Sequence, residues 1–560
     1  MKCLLAGVLL IAGSIWTCHA DPKDILKQLP EEEKQLANSV DPWGLAFADS
    51  LTRFKKHFQA SPQAGFVAGY THNLVKIWPL KYWFRGEIIT PSNPKTMKPL
   101  LGVTGGTVSF QVAVLPRIGA TQQIYQIDLK SRAEHKIYRE EFVKVGVASY
   151  VRFQSEFWPD PLVPENTCTI TGMNLGAFLV EIKIPSDFRG NVISNKISIV
   201  CNSSGEKIVF FVPVEVVKLD IQPKQFSLVA WFNKRKLTSE QYKGMCELAL
   251  EHHLQPLDAK HLKSIWNPDD QKPFADFIRF LQDRGQSVFQ MPVPDEKLKK
   301  MCVFFQQLGR VSNTVMYYSN VDEPSEKNLL EKNIPYAKEM RAKYPQCKIF
   351  LASEYHPRIF EACDIWLTDI SSSKYDPSVF KPPEKPELWH YYCHIPGAFQ
   401  MRAPLTLAPN MLIDNQALEH RLALWMSWYY HAQGVFIYAG NLEWKRQLAD
   451  PFWTVLVIKS IEYQFRLAGI HHGNGFLVYP PRSQGGAVLP SLRLKILRDG
   501  MEDIAIFNAL RKKYGEKIEQ TLSLIPDVFC NTHYYDHRPE TLLGKRDAVL
   551  KAALVLEKKH

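Results

Sequence analysis

From Phe226 onward the chain repeats one pattern: a short apolar run, then a longer amphipathic stretch. Phe226 to Phe232 reads as a strand, and Ser239 to His253 as a helix. Thr238 supplies its N-cap, Gln241 completes a capping box, and Glu240 sits in the first turn. Ser287–Met291, Thr314–Tyr318, Lys348–Ala352, Asp364–Leu367, Leu388–Cys393 and Val435–Tyr438 are further strands. Helices are expected over 295–308, 326–343 and 415–433. A strand followed by a helix and another strand makes a parallel pair, and this many units favour a (β/α)8 barrel. Residues 254–286 fit neither template clearly and leave the count of eight open. The apolar segment Leu422–Gly440 contains Ser427, His431 and Gln433 and is broken by Gly434, so it reads as a buried helix and strand, not a membrane span.

Ahead of this region the rhythm differs. Gly106–Leu115, Ile124–Leu129, Ala148–Phe153, Gly176–Ile184, Lys196–Cys201 and Lys207–Val217 are short strands broken by Gly, Pro and Asn, the pattern of an antiparallel β-sandwich. A buttressing role suits it better than sugar binding. The 560 residues therefore divide into a leader (1–20), a helical lead-in (21–75), the sandwich (76–222), the barrel (223–470) and a C-terminal strand and helix extension packed on the barrel (471–560). The leader has one Lys, a short apolar core and small residues at Cys18 and Ala20, which predicts cleavage after Ala20 and a secreted or periplasmic protein.

A net charge of +11 is scattered in short clusters without a basic stripe, which argues against nucleic acid as a partner. Eight cysteines follow the leader, and Cys168 with Cys201 is the pairing expected in an oxidising compartment. No Cys or His spacing suits a metal, no cofactor is indicated, and the pairs His252-His253 and His471-His472 read as polar surface.

The chemistry gathers at predicted strand ends. Thr314 to Pro324 (Thr-Val-Met-Tyr-Tyr-Ser-Asn-Val-Asp-Glu-Pro) opens as a buried strand and ends in two adjacent acids, Asp322 and Glu323. The residue before proline favours extended backbone, so Glu323 is expected to remain strand-like. Tyr318 and Asn320 precede the acids, while Glu354, Asp369, Trp389, His390, Tyr391, Tyr438 and Trp444 stand at or near the ends of other strands. Aromatics beside carboxylates at one mouth suit a carbohydrate: sugar faces stack on rings, and acids handle the glycosidic oxygen. Two acids acting on opposite sides of a glycosidic bond lie roughly 5–10 Å apart. Adjacent acids suit instead a substrate-assisted reaction, in which the sugar's 2-acetamido oxygen is the nucleophile. Successive strand side chains face opposite ways, so the pair converges only where the strand end twists or bulges.

Asn-Val-Asp-Glu-Pro, Leu388-Trp389-His390-Tyr391-Tyr392 and Arg421-Leu422-Ala423-Leu424-Trp425 resemble the catalytic domain of glycoside hydrolase family 123. So do Gly473 to Pro480, Pro490 to Lys495 and Arg498-Asp499-Gly500-Met501-Glu502-Asp503, the most specific part, while Gly105 to Gln111 is similar to a strand of that family's N-terminal sandwich. The resemblance spans about residues 80–515. It implies a sandwich followed by a (β/α)8 barrel and a retaining, substrate-assisted β-N-acetylgalactosaminidase. Asp322 would orient the acetamido group and Glu323 would be the acid/base. Asn474, where Asp is common, and His390, within the aromatic run, depart from the family pattern. Two other readings stand beside it: a glycosidase on non-acetamido sugars that pairs Glu323 with Glu354 or Asp369, and a secreted carbohydrate-binding protein without catalysis.

Overall fold

The computed structural model describes residues 46–59, 61–91, 95–145, 157–292, 296–308, 314–370, 387–393, 408–444, 455–456, 472–483 and 485–558. Helix Phe47–Lys56 leads into two mostly antiparallel sheets. The first runs in the order Glu87–Ile89, Phe66–His72, Thr107–Pro116, Gly176–Lys183, Glu134–Val145, Val455–Leu456, with Phe157–Val163 also on Glu134–Val145. The second runs Leu100–Val103, Lys207–Val217, Val192–Cys201, Gln123–Lys130, Thr167–Ile170.

Period-two patterning explains how they pack. Val192–Cys201 alternates exposed and buried, turning Ile193, Ile197 and Ile199 inward to meet Phe110, Val112, Val114, Phe178 and Val180 of the first sheet. Thr107–Pro116 is buried on both faces, because Ala113 and Leu115 belong to the larger core shared with the rest of the chain. The first sheet is therefore a middle layer. Phe66–His72, inside the stretch expected to be a helical lead-in, is one of its strands. The expected strand Ala148–Phe153 and the leader lie outside the described residues.

After residue 226 eight strands form one parallel sheet: β1 (Ser227–Trp231), β2 (Gln255–Leu257), β3 (Val288–Gln290), β4 (Thr314–Tyr318), β5 (Cys347–Ala352), β6 (Ile365–Thr368), β7 (Glu387–Tyr392) and β8 (Gly434–Ile437). Their order is β2-β1-β8-β7-β6-β5-β4-β3, a nearly closed barrel. Side-chain amides bridge the remaining seam. Gln255 Oε1 accepts from the backbone N–H of Ser287 (2.7 Å) and Val288 (2.9 Å), and Gln286 Nε2 donates to Pro256 O (2.9 Å). The ambiguous stretch thus holds β2.

Helices occupy the described connections: α1 (Ser239–Glu251), α2 (Ala259–Ile265), α3 (Lys272–Asp283), α4 (Glu296–Gln307), α5 (Glu326–Asn328, a π-turn Leu329–Asn333, then Ile334–Lys343), α6 (Ile359–Ala362) and α7 (Ala417–Tyr429). The capping box at α1 is formed in both directions. No helix among the described residues is long and apolar enough to cross a membrane.

Two long helices close the chain, α8 (Leu492–Tyr514) and α9 (Pro539–Lys558). The most specific sequence motif lies on α8 and forms a buried ionic staple to the first sheet. Arg493 Nη2 donates to Asp160 (2.9 Å), Lys495 to Glu181 (2.8 Å), Arg498 to Glu181 and Asp499, and Thr107 N to Glu502 (2.8 Å). Asp503 accepts from Arg421 (2.6 and 2.8 Å), Trp425 (2.8 Å) and Arg546 (2.7 Å), tying α7, α8 and α9 together. Gly500 permits this approach, since a Cβ there would lie 2.8 Å from Leu424 Cδ1 of α7.

Two expectations fail here. Cys168 and Cys201 are free and buried. Both stand opposite Tyr125, on strands either side of it, which puts them two strand spacings apart. That is about 10 Å, against about 7 Å for the longest Cα separation a disulfide spans. His252 and His472 are 2% and 0% exposed, so neither is a surface residue; His471 lies outside the described residues.

Candidate active site

The pleat of the barrel sorts the strand-end residues into two sets. Side chains facing the barrel interior include Val229, Val288, Met316, Phe350, Leu367, Trp389 and Phe436, capped towards the C-terminal mouth by Trp231, Tyr318 and Tyr391. Trp231 lies edge-on to Phe436 (4.9 Å between ring centroids), Tyr318 (5.8 Å) and Tyr438 (6.2 Å), and Tyr391 lies edge-on to Phe436 (5.9 Å). The Trp231 Nε1–H donates to Gln290 Oε1 at 3.0 Å, which fixes the indole across the floor of the mouth. Tyr438 donates to Glu443 Oε1 at 3.1 Å.

The two acids stand over this floor. Strand β4 ends at Tyr318, and residues 319–323 turn sharply. Ser325 caps α5, accepting from Asn328 N at 3.3 Å, so the acids are not helix caps. Glu323 has φ +42°, a left-handed backbone rather than the extended one expected before Pro324. Its N–H donates to Ala352 O at the end of β5 (3.1 Å), which anchors the turn to the neighbouring strand. The reversal meets the geometric requirement on adjacent acids: a regular strand would splay the two side chains to opposite faces. Non-glycine residues held in this region cluster where function demands it.

Electrostatics divides the pair. The Tyr318 hydroxyl hydrogen-bonds to Asp322. The Glu323 carboxyl is raised above its ordinary value, first by desolvation and then by the negative charge of Asp322. Burial drives the phenols of Tyr318 and Tyr391 well up, and both acids act on each of them, placing both rings beside the carboxylates. Both phenols stay neutral donors at working pH.

The other expected residues divide as follows. Asn320 is exposed on the same turn, Glu354 is exposed after β5, and Asp369 is half-buried after β6. Trp389 is one layer too deep: it is 1% exposed, packs against the site of Gly434, and donates from Nε1 to Glu387 at the opposite end of β7 (3.1 Å). His390 faces outward to α7, with Nδ1 2.9 Å from Ser427 Oγ, and burial lowers it to about 3. Trp444 is buried, donating to Val478 O at 2.6 Å. None of these three reaches the mouth, where a sugar would stack. Trp231 and Gln290 do, and sequence reasoning passed over both, although Trp231 was legible as an aromatic at a strand end. No group of acids, histidines and cysteines among the described residues has the arrangement of a metal site.

Residues 293–510 match the family model for the glycoside hydrolase 123 catalytic domain. The structure is similar to that of a family 123 glycoside hydrolase from Clostridium perfringens, studied for glycolipid glycan hydrolysis, at 13% identity, TM-score 0.60, and coverage of 88% of this chain and 98% of that one. A β-glucuronidase from Parabacteroides merdae, at 5% identity and TM-score 0.22, covers 59% of this chain and 44% of its own, too little to bear on fold or function. No curated protein matches.

Proposed function

Starting from a chain that carries a glycoside hydrolase family 123 catalytic domain, we propose that it removes terminal β-linked N-acetylhexosamine, N-acetylgalactosamine preferred, from a glycan or glycolipid with retention of configuration. The observation that carries this reading is the left-handed Glu323, which lets neighbouring acids converge over one aromatic mouth. Asp322, hydrogen-bonded by Tyr318, orients and polarises the 2-acetamido group so that its oxygen attacks the anomeric carbon. Glu323, with its carboxyl raised, protonates the departing glycosidic oxygen and then takes a proton from the water that opens the cyclised intermediate. Trp231 offers an apolar face for the sugar, and Tyr391 a neutral hydroxyl beside both acids.

Helices in each described connection of the barrel favour a (β/α)8 arrangement, whose C-terminal face is the usual place for such a site. The leader sequence supports export with cleavage after Ala20, which N-terminal sequencing of the mature chain checks. The test of mechanism is a thiazoline mimic of the cyclised intermediate. Competitive inhibition, lost in Asp322→Asn, fits substrate assistance. Turnover that the thiazoline leaves untouched assigns the chemistry to a sugar without an acetamido group.

A further inference from the structure

We infer that Asn333, on the π-turn of α5, is a positioning residue that sets the turn carrying Asp322 and Glu323; the inference rests on the proposed role of those acids. Asn333 is 0% exposed, and among the described residues its hydrogen bonds go to the turn rather than to either carboxylate. Its Nδ2 donates to Val321 O at 2.8 Å and to Ser319 Oγ, gripping the turn from below at two points just before the acids. The acceptor at Val321 is a carbonyl, so only the amide nitrogen can face it, and the orientation of Asn333 is fixed.

The helix is distorted to make this reach. Residues Leu329–Asn333 are wound as a π-turn, and Pro335 in the next turn has no N–H to return to Glu331, which breaks the regular ladder there. The extra residue rotates Asn333 onto the face beneath the turn. The arrangement is also locally unfavourable, because Oδ1 of Asn333 is buried with no hydrogen-bond partner among the described residues. An unsatisfied acceptor, a π-turn and a left-handed Glu323 converge on one short loop. What these costs secure is the placement of the acids, together with the Glu323 N–H bond to Ala352 O.

The test uses the full mature chain with Asn333→Asp, which keeps the volume but cannot donate to Val321 O, and Asn333→Leu as a second variant should the first fail to fold. Two readouts are needed: steady-state kinetics on an aryl β-N-acetylhexosaminide, and amide hydrogen exchange across residues 319–325. The expected result is a kcat lower by about 10- to 100-fold with KM within about threefold, and exchange faster by at least about tenfold at Glu323 with β5 and β6 unchanged. A folded variant with wild-type kcat and wild-type exchange at 319–325 overturns the inference. So does a fall in Tm with kcat per folded molecule unchanged. An inactive wild type sinks the glycosidase reading separately, and the exchange comparison then decides alone whether Asn333 holds the turn.

Discussion

Glu323 occupies a backbone conformation that costs a non-glycine residue roughly 1–2 kcal/mol, and it does so between an acid and a proline. In the proposed mechanism, that small strain lets two sequence neighbours in different environments act on one sugar. Asp322→Asn should lower kcat/KM on acetamido substrates by about 10²–10⁴-fold. It should also shift the residual pH profile in a definite direction. The charge of Asp322 raises the Glu323 carboxyl, so its removal lets Glu323 lose its proton earlier, and the alkaline limb moves to lower pH. A limb that stays in place, measured by kcat/KM from pH 4 to 9, contradicts the coupling. Trp231→Ala should raise KM by about 10-fold or more through the loss of a stacking face, while leaving the position of that limb unchanged. The pair itself was legible in the sequence, because acids ending an apolar strand stand out. Their backbone was not: the rule for residues before proline points to extended geometry, and the tertiary bond to Ala352 overrides it.

Among the elements, β7 shows how strictly the pleat decides function. Trp389, His390, Tyr391 and Tyr392 are consecutive, yet only Tyr391 reaches the mouth; Trp389 fills the barrel interior, and His390 and Tyr392 meet α7. A sequence shows the aromatic run but not its register, and one residue reverses every side chain. Helix α8 carries the opposite lesson. Its motif was the most specific in the chain, and its charged side chains go to ion pairs with Asp160, Glu181 and Arg421. Asp160→Asn should leave Arg493 buried with its charge uncompensated and destabilise the fold by about 3–5 kcal/mol, read by denaturant unfolding. A change below about 1 kcal/mol would show that the staple is dispensable. At the barrel seam, Gln255→Leu strands the N–H groups of Ser287 and Val288 and should cost about 1–3 kcal/mol by the same measurement.

For the molecule as a whole, buried ionisable groups pull stability in opposite directions below neutral pH. His252, His390 and His420 are all held below their ordinary value, chiefly by desolvation. Between the unfolded value near 6.5 and the lower folded values, the unfolded chain binds protons that the folded chain refuses. Each histidine therefore contributes a loss of stability as pH falls through this window, of up to about 1.4 kcal/mol per pH unit. The buried carboxyls of Glu140 and Glu419, raised to about 8 and about 7, work the other way, so the check is a difference: from pH 7 to 4, His390→Asn should lose less stability than the wild type. The same whole-molecule logic joins sheets, barrel and terminal helices through one core, so the mouth at the top of the barrel is a rigid place to hold two acids. The most direct measurement is hydrolysis of aryl β-N-acetylgalactosaminide and β-N-acetylglucosaminide by the mature chain, beside Asp322→Asn and Glu323→Gln. The account predicts turnover by the wild type, faster on the galactosaminide, and its loss in both variants. Turnover that survives both substitutions, or a folded wild type inert on both substrates, would contradict it.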